Sequence, residues 1–149
     1  MPESHIKSVR TDDIDYNYDV TIKELKETIV HLHGQMATLL CFVNIFTPPK
    51  ERDSARKKYA KQESELKWHI KQSQLQIKHK QLEWKIMIMI REKTFNDKIK
   101  DLFLKKYDDL GMELFDTWEE GVALDEMSES DYRESVEDVM RLRNLIRDE

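Results

Sequence analysis

The stretch that decides the predicted fold is residues 50–107, KERDSARKKYAKQESELKWHIKQSQLQIKHKQLEWKIMIMIREKTFNDKIKDLFLKKY. No Gly or Pro interrupts it, and Lys, Glu, Gln, Leu and Ile dominate, a composition typical of a helix. Its apolar residues fall on two nearly opposite helical faces, whereas a surface helix of a small domain needs only one. We therefore expect one very long helix that packs on both sides, against other parts of this chain or against another subunit.

The first of these faces carries Leu66, Ile70, Ile77, Trp84, Ile88, Phe95, Ile99 and Leu102. The second carries Trp68, Leu75, Leu82, Ile86, Met89 and Leu104. The most apolar point of the helix is the run Ile86, Met87, Ile88, Met89 and Ile90. Such a Met/Ile cluster at helical spacing indicates core, and its alternative interpretation is a groove for a partner helix.

A second helical pattern precedes the long stretch. Thr21 and Glu24 fit a capping box, so we expect the first helix to begin at Thr21. From Ile22 to Phe46 the apolar residues alternate at spacings of three and four, which is typical of a coiled-coil seam. Gly34 lies opposite this seam, as a tolerated surface residue or as a point of close approach to another helix. Pro48 and Pro49 then enforce a break.

These patterns predict an all-α fold built on an antiparallel, coiled-coil-like helical hairpin, with helices at about 21–47 and 50–107. Residues 1–20 are polar and aperiodic, which indicates a flexible acidic arm able to dock through Tyr16 and Tyr18. Residues 108–149 form an acidic C-terminal region with two short helices. One ends near Gly121, after the long helix stops near residues 108–111, and the last begins near Ser128 or Ser130.

The net charge of −5 hides a strong segregation. Residues 1–49 carry four basic and seven acidic groups, residues 50–107 seventeen and eight, and residues 108–149 four and fifteen. The corresponding net charges of −3, +9 and −11 divide the chain more sharply than solvation of helix faces requires. We expect the acidic tail either to fold back on the basic helix or to engage a basic partner.

The first helix becomes apolar all round over residues 39–46, beside the polar start of the second helix. An apolar end that lacks a partner in the chain predicts a homo-oligomer interface, and the alternative is that the C-terminal helices cover it. The residues expected at this interface are Leu39, Leu40, Phe42, Val43 and Phe46. Cys41, in the same stretch, is expected to be a small buried residue.

Basic side chains cluster at the start of the second helix, where the helix macrodipole disfavours cations. Nucleic-acid phosphate, an acidic protein segment and plain solvent are the three candidate partners of this cluster. The cluster consists of Lys50, Arg52, Arg56, Lys57, Lys58 and Lys61. Because neither aromatic stacking residues nor a helix-turn-helix pattern accompanies it, any nucleic-acid binding is expected to be non-specific.

Residues that carry chemistry do not form a recognisable set. His31, His33, His69 and His79 lack a zinc-ligand spacing, and the three glycines are too scattered for a phosphate loop. We expect no metal, no cofactor, no small-molecule substrate and no enzymatic activity. A single cysteine precludes an internal disulfide, and neither a signal peptide nor a membrane span is evident. The expected location is therefore intracellular and soluble, with no membrane partner.

The segments DIDYNYDVTIKELKETIVHLHGQMATLL and TPPKERDSAR, within residues 12–76, resemble the small terminase subunit of tailed bacteriophages. Members of that family are short helical proteins with an acidic amino-terminal arm and an antiparallel hairpin that builds a ring. The resemblance implies a viral assembly role in regulating a DNA-packaging motor, in the host cytoplasm. The second helix is longer and the tail more acidic than in the family pattern.

Three functions fit these patterns. The first is a non-catalytic oligomeric adaptor or assembly factor that acts through protein–protein contacts with itself and another protein. The second is a DNA-packaging or other nucleic-acid-binding regulatory subunit that uses the basic cluster. The third is an acidic inhibitor whose C-terminal region mimics nucleic acid. Salt-dependent DNA binding favours the second, and tight capture of one protein without DNA binding favours the third.

Overall fold

A computed structural model describes residues 2–148, and for residues 2–12 and 145 it describes the helical backbone only. The fold is all-α, as the sequence predicts. It consists of α1 (Pro2–Asn44), α2 (Arg52–Arg91), α3 (Asp97–Ala123) and α4 (Glu129–Asp148), with a short 3₁₀ turn at Pro49–Glu51 before α2. Each α-helix packs against the next one in the chain. Strands are absent from the described residues.

The α1–α2 hairpin is antiparallel along its length. Near its open end Tyr18 stacks on Trp84 with ring centroids 5.9 Å apart, and near its closed end Phe42 meets Tyr59 edge-on at 5.6 Å. The turn is stabilised locally, because the Thr47 hydroxyl donates a 2.7 Å hydrogen bond to the carbonyl of Phe42. Pro48 cannot donate a backbone hydrogen bond and so prevents α1 from continuing.

The expectation of a flexible arm over residues 1–20 is wrong for residues 13–20, which are helical and continue α1. Asp15 accepts a 2.7 Å hydrogen bond from the indole Nε1 of Trp84 and pairs with Arg91 at 3.3 Å. Tyr18 docks on Trp84, whereas Tyr16 is exposed. These long-range contacts with α2 extend the helix past Thr21, so the local capping signal there does not begin a helix.

The expectation of one helix over residues 50–107 is also wrong, because the chain breaks between Arg91 and Asp97. Lys93 adopts a left-handed conformation at φ 58°. Its backbone N–H donates a hydrogen bond to the carbonyl of Ile90, and the N–H of Thr94 donates one to the carbonyl of Met89. This is a Schellman end, a position that Gly usually occupies. Asn96 then caps α3 by accepting a 3.0 Å hydrogen bond from the N–H of Ile99.

After this break α3 turns back along the second apolar face of α2, and α4 turns back along α3. Asp125 at φ 61° ends α3 with the same Schellman pattern, and the Ser128 hydroxyl caps α4 by accepting from the N–H of Asp131. The start of α4 therefore matches its prediction, whereas α3 does not stop near residues 108–111 and runs to Ala123. The buried core joins α2, α3 and α4 and consists of Leu75, Ile86, Phe103, Tyr107, Leu110, Leu114, Trp118, Val139 and Ile146.

Candidate functional site

The closed end of the hairpin exposes large apolar side chains. Of their surfaces, Leu40 exposes 40%, Phe42 50%, Ile45 67% and Phe46 76%. No other described element covers this end, because α3 and α4 pack along the half of α2 that begins near Trp68. Exposed apolar patches of this kind mark interaction surfaces on soluble proteins. We call the part of the hairpin from residue 30 to residue 66 the hairpin end.

Two of the five residues expected at an oligomer interface are not available there. Leu39 is only 8% exposed and Val43 only 5% exposed, because both point into the hairpin toward α2. Their place in the heptad seam explains this burial. A surface for self-association is thus left with Leu40, Phe42 and Phe46. Ile45, which the sequence reasoning did not select, joins them.

A groove of about 820 Å³ runs along the hairpin end between α1 and α2. It is lined by Val30, Gly34, Leu39 and Phe42 of α1 and by Tyr59 and Leu66 of α2, among others. A Cβ atom at Gly34 would meet nothing within 4 Å, so the backbone there is open to an approaching element. Sequence reasoning noticed Gly34 but missed Val30 and Tyr59, since a groove needs the register of two helices.

The predicted basic cluster lies at the same end of the hairpin. Lys50, Lys57, Lys58 and Lys61 are exposed, and Arg52 is half-buried. Three of the six basic residues have a described polar or aromatic contact. Arg56 donates a 3.3 Å hydrogen bond to Asn44, the Lys58 ammonium lies 5.4 Å from the Tyr59 ring centroid, and Lys61 pairs with Glu65 at 4.0 Å. The structure thus places these six basic residues, which we call the basic row, beside the exposed apolar side chains of the hairpin end.

The Met/Ile run of α2 belongs to the core. Ile86 is fully buried, and Met89 and Ile90 pack against the core cluster. Met87 and Ile88 are half-buried. The interpretation of residues 86–90 as core is therefore confirmed for Ile86, Met89 and Ile90, because α3 fills the face that the sequence left without a partner.

An acidic surface covers α3 and α4. Residues 108–138 contain thirteen acidic groups and one basic group, and most of these carboxylates are exposed. Few of them pair within the described chain. Asp108 accepts a 2.6 Å hydrogen bond from Arg143, which raises the pKa of the guanidinium, and Glu126 lies 2.8 Å from His69. Most of these carboxylates therefore have no ion-pair partner among the described residues.

A buried polar contact joins α2, α3 and α4. The Tyr107 hydroxyl donates a 3.2 Å hydrogen bond to the Val139 carbonyl and lies 2.9 Å from Nε2 of His79. Burial lowers the pKa of His79 and raises that of Tyr107, and the Glu83 carboxylate 3.8 Å from Nδ1 of His79 opposes the first shift. This contact joins the three helices at the edge of the core, which contains Tyr107 and Val139.

The described residues hold no group of three or more His, Cys, Asp or Glu side chains placed to bind a metal ion. Cys41 is a free thiol and is exposed, so the expectation that it is buried is wrong. It lies on the outer side of α1, away from the seam formed by Leu39 and Val43. The candidate site is therefore a surface at the hairpin end, composed of the exposed apolar residues, the groove and the basic row.

Among the described residues, no single helix is both long and apolar enough to cross a bilayer, and only α1 and α2 taken together as a bent pair pass that test. A scan against protein-family models, a comparison with curated proteins and a comparison with solved structures each find no match. The resemblance to small terminase subunits therefore stays a prediction.

Proposed function

We propose that this chain is a non-catalytic helical adaptor or assembly factor that associates with itself through the hairpin end. The observation that carries the proposal is the exposure of Phe42, Ile45 and Phe46 at one end of the hairpin, whereas α3 and α4 pack against α2 at the other end. Leaving such side chains in water forgoes about 25 cal/mol for each Å² of apolar surface that an interface would bury. Self-association removes this surface from water.

Light scattering after size exclusion tests the proposal. At micromolar concentration the wild-type chain is expected to have a mass at least twice its 18.0 kDa. The apparent mass should fall on dilution, as mass action requires for a reversible assembly. A single species of 18.0 kDa at every concentration would remove the basis of the proposal.

The exposed basic row favours a second candidate, a nucleic-acid-binding regulatory subunit of the kind that the terminase resemblance implies. Lys50, Lys57 and Lys58 are exposed and have no ion-pair partner among the described residues. Lysines of this kind bind phosphates without reading sequence, and each contact that is lost reduces the slope of log affinity against log salt by about 1.

The test compares duplex DNA binding by the wild type with a variant that carries Lys57→Gln, Lys58→Gln and Lys61→Gln. A variant with Lys78→Gln, Lys98→Gln and Lys105→Gln serves as the control, because these three lysines are exposed outside the hairpin end. The second candidate predicts weaker binding and a smaller salt slope only for the first variant. Equal loss in both variants, or no binding by the wild type, argues against it.

A further inference from the structure

Much of the basic row lies closer to the closed end of the hairpin than the acidic surface of the same molecule does. The side chain of His69 contacts Glu126, which follows the end of α3, so this carboxylate is held beside residue 69 of α2. Lys57 is twelve residues nearer the closed end, or about 18 Å along the helix axis. Charges in water are largely screened beyond about 10 Å at 0.1 M salt. Lys57 therefore does not reach this contact in its own molecule, and a second molecule can supply a carboxylate to it.

The position of the groove determines which residues lie level with each other when two copies pair symmetrically across it. It extends from Val30 to Phe42 on α1 and from Tyr59 to Leu66 on α2, so the midpoint of its α2 side lies near Gln62. If a second copy covers the groove in the opposite direction, residues 50–58 of one copy lie level with about residues 66–74 of the other. Two-fold, self-complementary contacts are the commonest way in which identical subunits associate.

The level of residues 66–74 is where α3 lies against α2. Trp68 donates its indole hydrogen bond to the carbonyl of Thr117, and Gly121 lies against the same ring. The exposed carboxylates of this part of α3 are Glu113, Asp116, Glu119 and Glu120. An antiparallel pair centred on the groove thus brings the basic row of each copy to the level of the acidic surface of the other.

We infer that the groove between α1 and α2 is the docking site for a second copy of this chain, in an antiparallel two-fold pair where each basic row faces the other copy's α3. The inference rests on the proposed self-association and adds its geometry. The apolar groove stabilises the pair, and the charges select the antiparallel direction. Burying Phe42 supplies the first effect, and charge complementarity between subunits supplies the second.

A charge exchange tests this arrangement. The first variant, called basic-to-acidic, carries Lys57→Glu, Lys58→Glu and Lys61→Glu. The second, called acidic-to-basic, carries Glu113→Lys, Asp116→Lys and Glu120→Lys. Alone, each variant sets like charges against each other at both contacts of the pair. Mixed together, the two variants form one pair in which both contacts join opposite charges.

The expected result is that each variant alone self-associates at least about tenfold more weakly than the wild type, and that the equimolar mixture restores the wild-type affinity. The control carries Lys78→Glu, Lys98→Glu and Lys105→Glu, which change the net charge equally outside the hairpin end. It should leave self-association unchanged. Circular dichroism of each variant confirms that the helices are retained.

Cys41 provides a second measurement on the native chain. It lies on the exposed side of α1 close to the level of the groove midpoint, so the two copies of Cys41 lie within about 10 Å of each other along the axis of an antiparallel pair. A short bismaleimide should then yield a covalent dimer, and Cys41→Ser should abolish it. Head-to-tail association separates the two thiols by most of a molecule and gives no such dimer.

The outcomes distinguish the two claims. A wild type that stays monomeric overturns both the proposed function and the docking site. A wild type that associates, but without rescue in the mixture and without the Cys41 cross-link, overturns the antiparallel pair and leaves self-association standing. Rescue together with the cross-link supports the pair.

Discussion

Gly121 of α3 lies directly against the indole ring of Trp68 in α2, so closely that a Cβ atom on Gly121 would overlap the six-membered ring. Trp68 is 3% exposed, and its Nε1 donates a 2.6 Å hydrogen bond to the carbonyl of Thr117, one turn before Gly121. The helix tolerates glycine at this point because only a bare backbone admits the ring. This contact fixes how close α3 lies to α2.

Replacing Gly121 with Ala tests that contact. Overpacking a rigid aromatic ring costs about 1–3 kcal/mol, and the better helix propensity of Ala returns about 1 kcal/mol. We expect Gly121→Ala to lower the free energy of unfolding in urea. Gly111→Ala is the matched control, since its Cβ would make an ordinary 3.8 Å contact with Val139. The control should be neutral or stabilising, and equal stabilisation by both variants would show that α3 has room to move.

The contact between His79 and Tyr107 predicts a pH dependence. Because Tyr107 donates to Val139, it accepts from the Nε2–H of neutral His79, and Nδ1 then faces Glu83. Burial places the pKa of His79 below its ordinary value of 6.5. Between the folded and unfolded pKa values the unfolded chain binds more protons, so stability falls as pH decreases below 6.5.

Urea unfolding of the wild type and of His79→Gln measures this effect. Gln keeps a donor for Tyr107 and does not titrate. Other groups around His79 are Lys80 and Glu83 on α2 and Asp138 on α4, and both proteins retain them. Between pH 7.5 and pH 5 the wild type should lose more stability than the variant. Parallel curves would mean that His79 keeps its proton affinity on folding.

The hydrogen bonds of Asp15 predict that this residue holds the helical segment 13–20 against α2. The bond from Trp84 and the guanidinium of Arg91 lower the pKa of the Asp15 carboxyl, so its contribution persists at neutral pH and disappears only as pH falls below about 3.8. Asp15→Ala should increase hydrogen exchange in residues 13–20 at pH 7. Asp19→Ala, which breaks only the exposed pair with Lys23, should leave exchange there nearly unchanged. Equal exchange in both variants contradicts the role of Asp15.

The break between α2 and α3 predicts a stabilising substitution. Lys93 occupies a left-handed position at φ 58°, where an L-residue is disfavoured by about 1–2 kcal/mol and Gly is not. Lys93→Gly should therefore raise the midpoint of thermal unfolding. Glu92→Gly, at φ −84°, should lower it, because Gly gains nothing there and loses backbone entropy. A decrease in both variants would indicate that the chain does not turn at Lys93.

The sequence predicted the hairpin of the fold, but it did not predict the break between α2 and α3. The heptad seam and the two prolines predicted the hairpin, and the second apolar face of α2 predicted a partner that proves to be α3. The break at residues 92–96 was missed because the Schellman end of α2 has Lys93, and not Gly, at its left-handed position.

The start of α1 was missed for a different reason. Asp15 and Tyr18 become helical through contacts with Trp84 and Arg91, and a local pattern does not contain such distant partners. For the candidate site, composition alone located Phe42, Phe46 and the lysines. To predict which of the apolar residues stay exposed, one must know the register of α1 on α2. Leu39 and Val43 point inward, whereas Phe42 and Phe46 do not.

Self-association through the hairpin end is the central claim, and sedimentation velocity of Phe42→Asp/Phe46→Asp beside the wild type measures it most directly. A charge on a desolvated interface is costly, so the double variant should sediment as an 18.0 kDa monomer where the wild type forms a larger species. Leu102→Asp is the control, because Leu102 on α3 is 52% exposed, much as Phe42 is at 50%. The control should sediment like the wild type. An assembly that persists in the double variant, or is lost equally in the control, would contradict the claim.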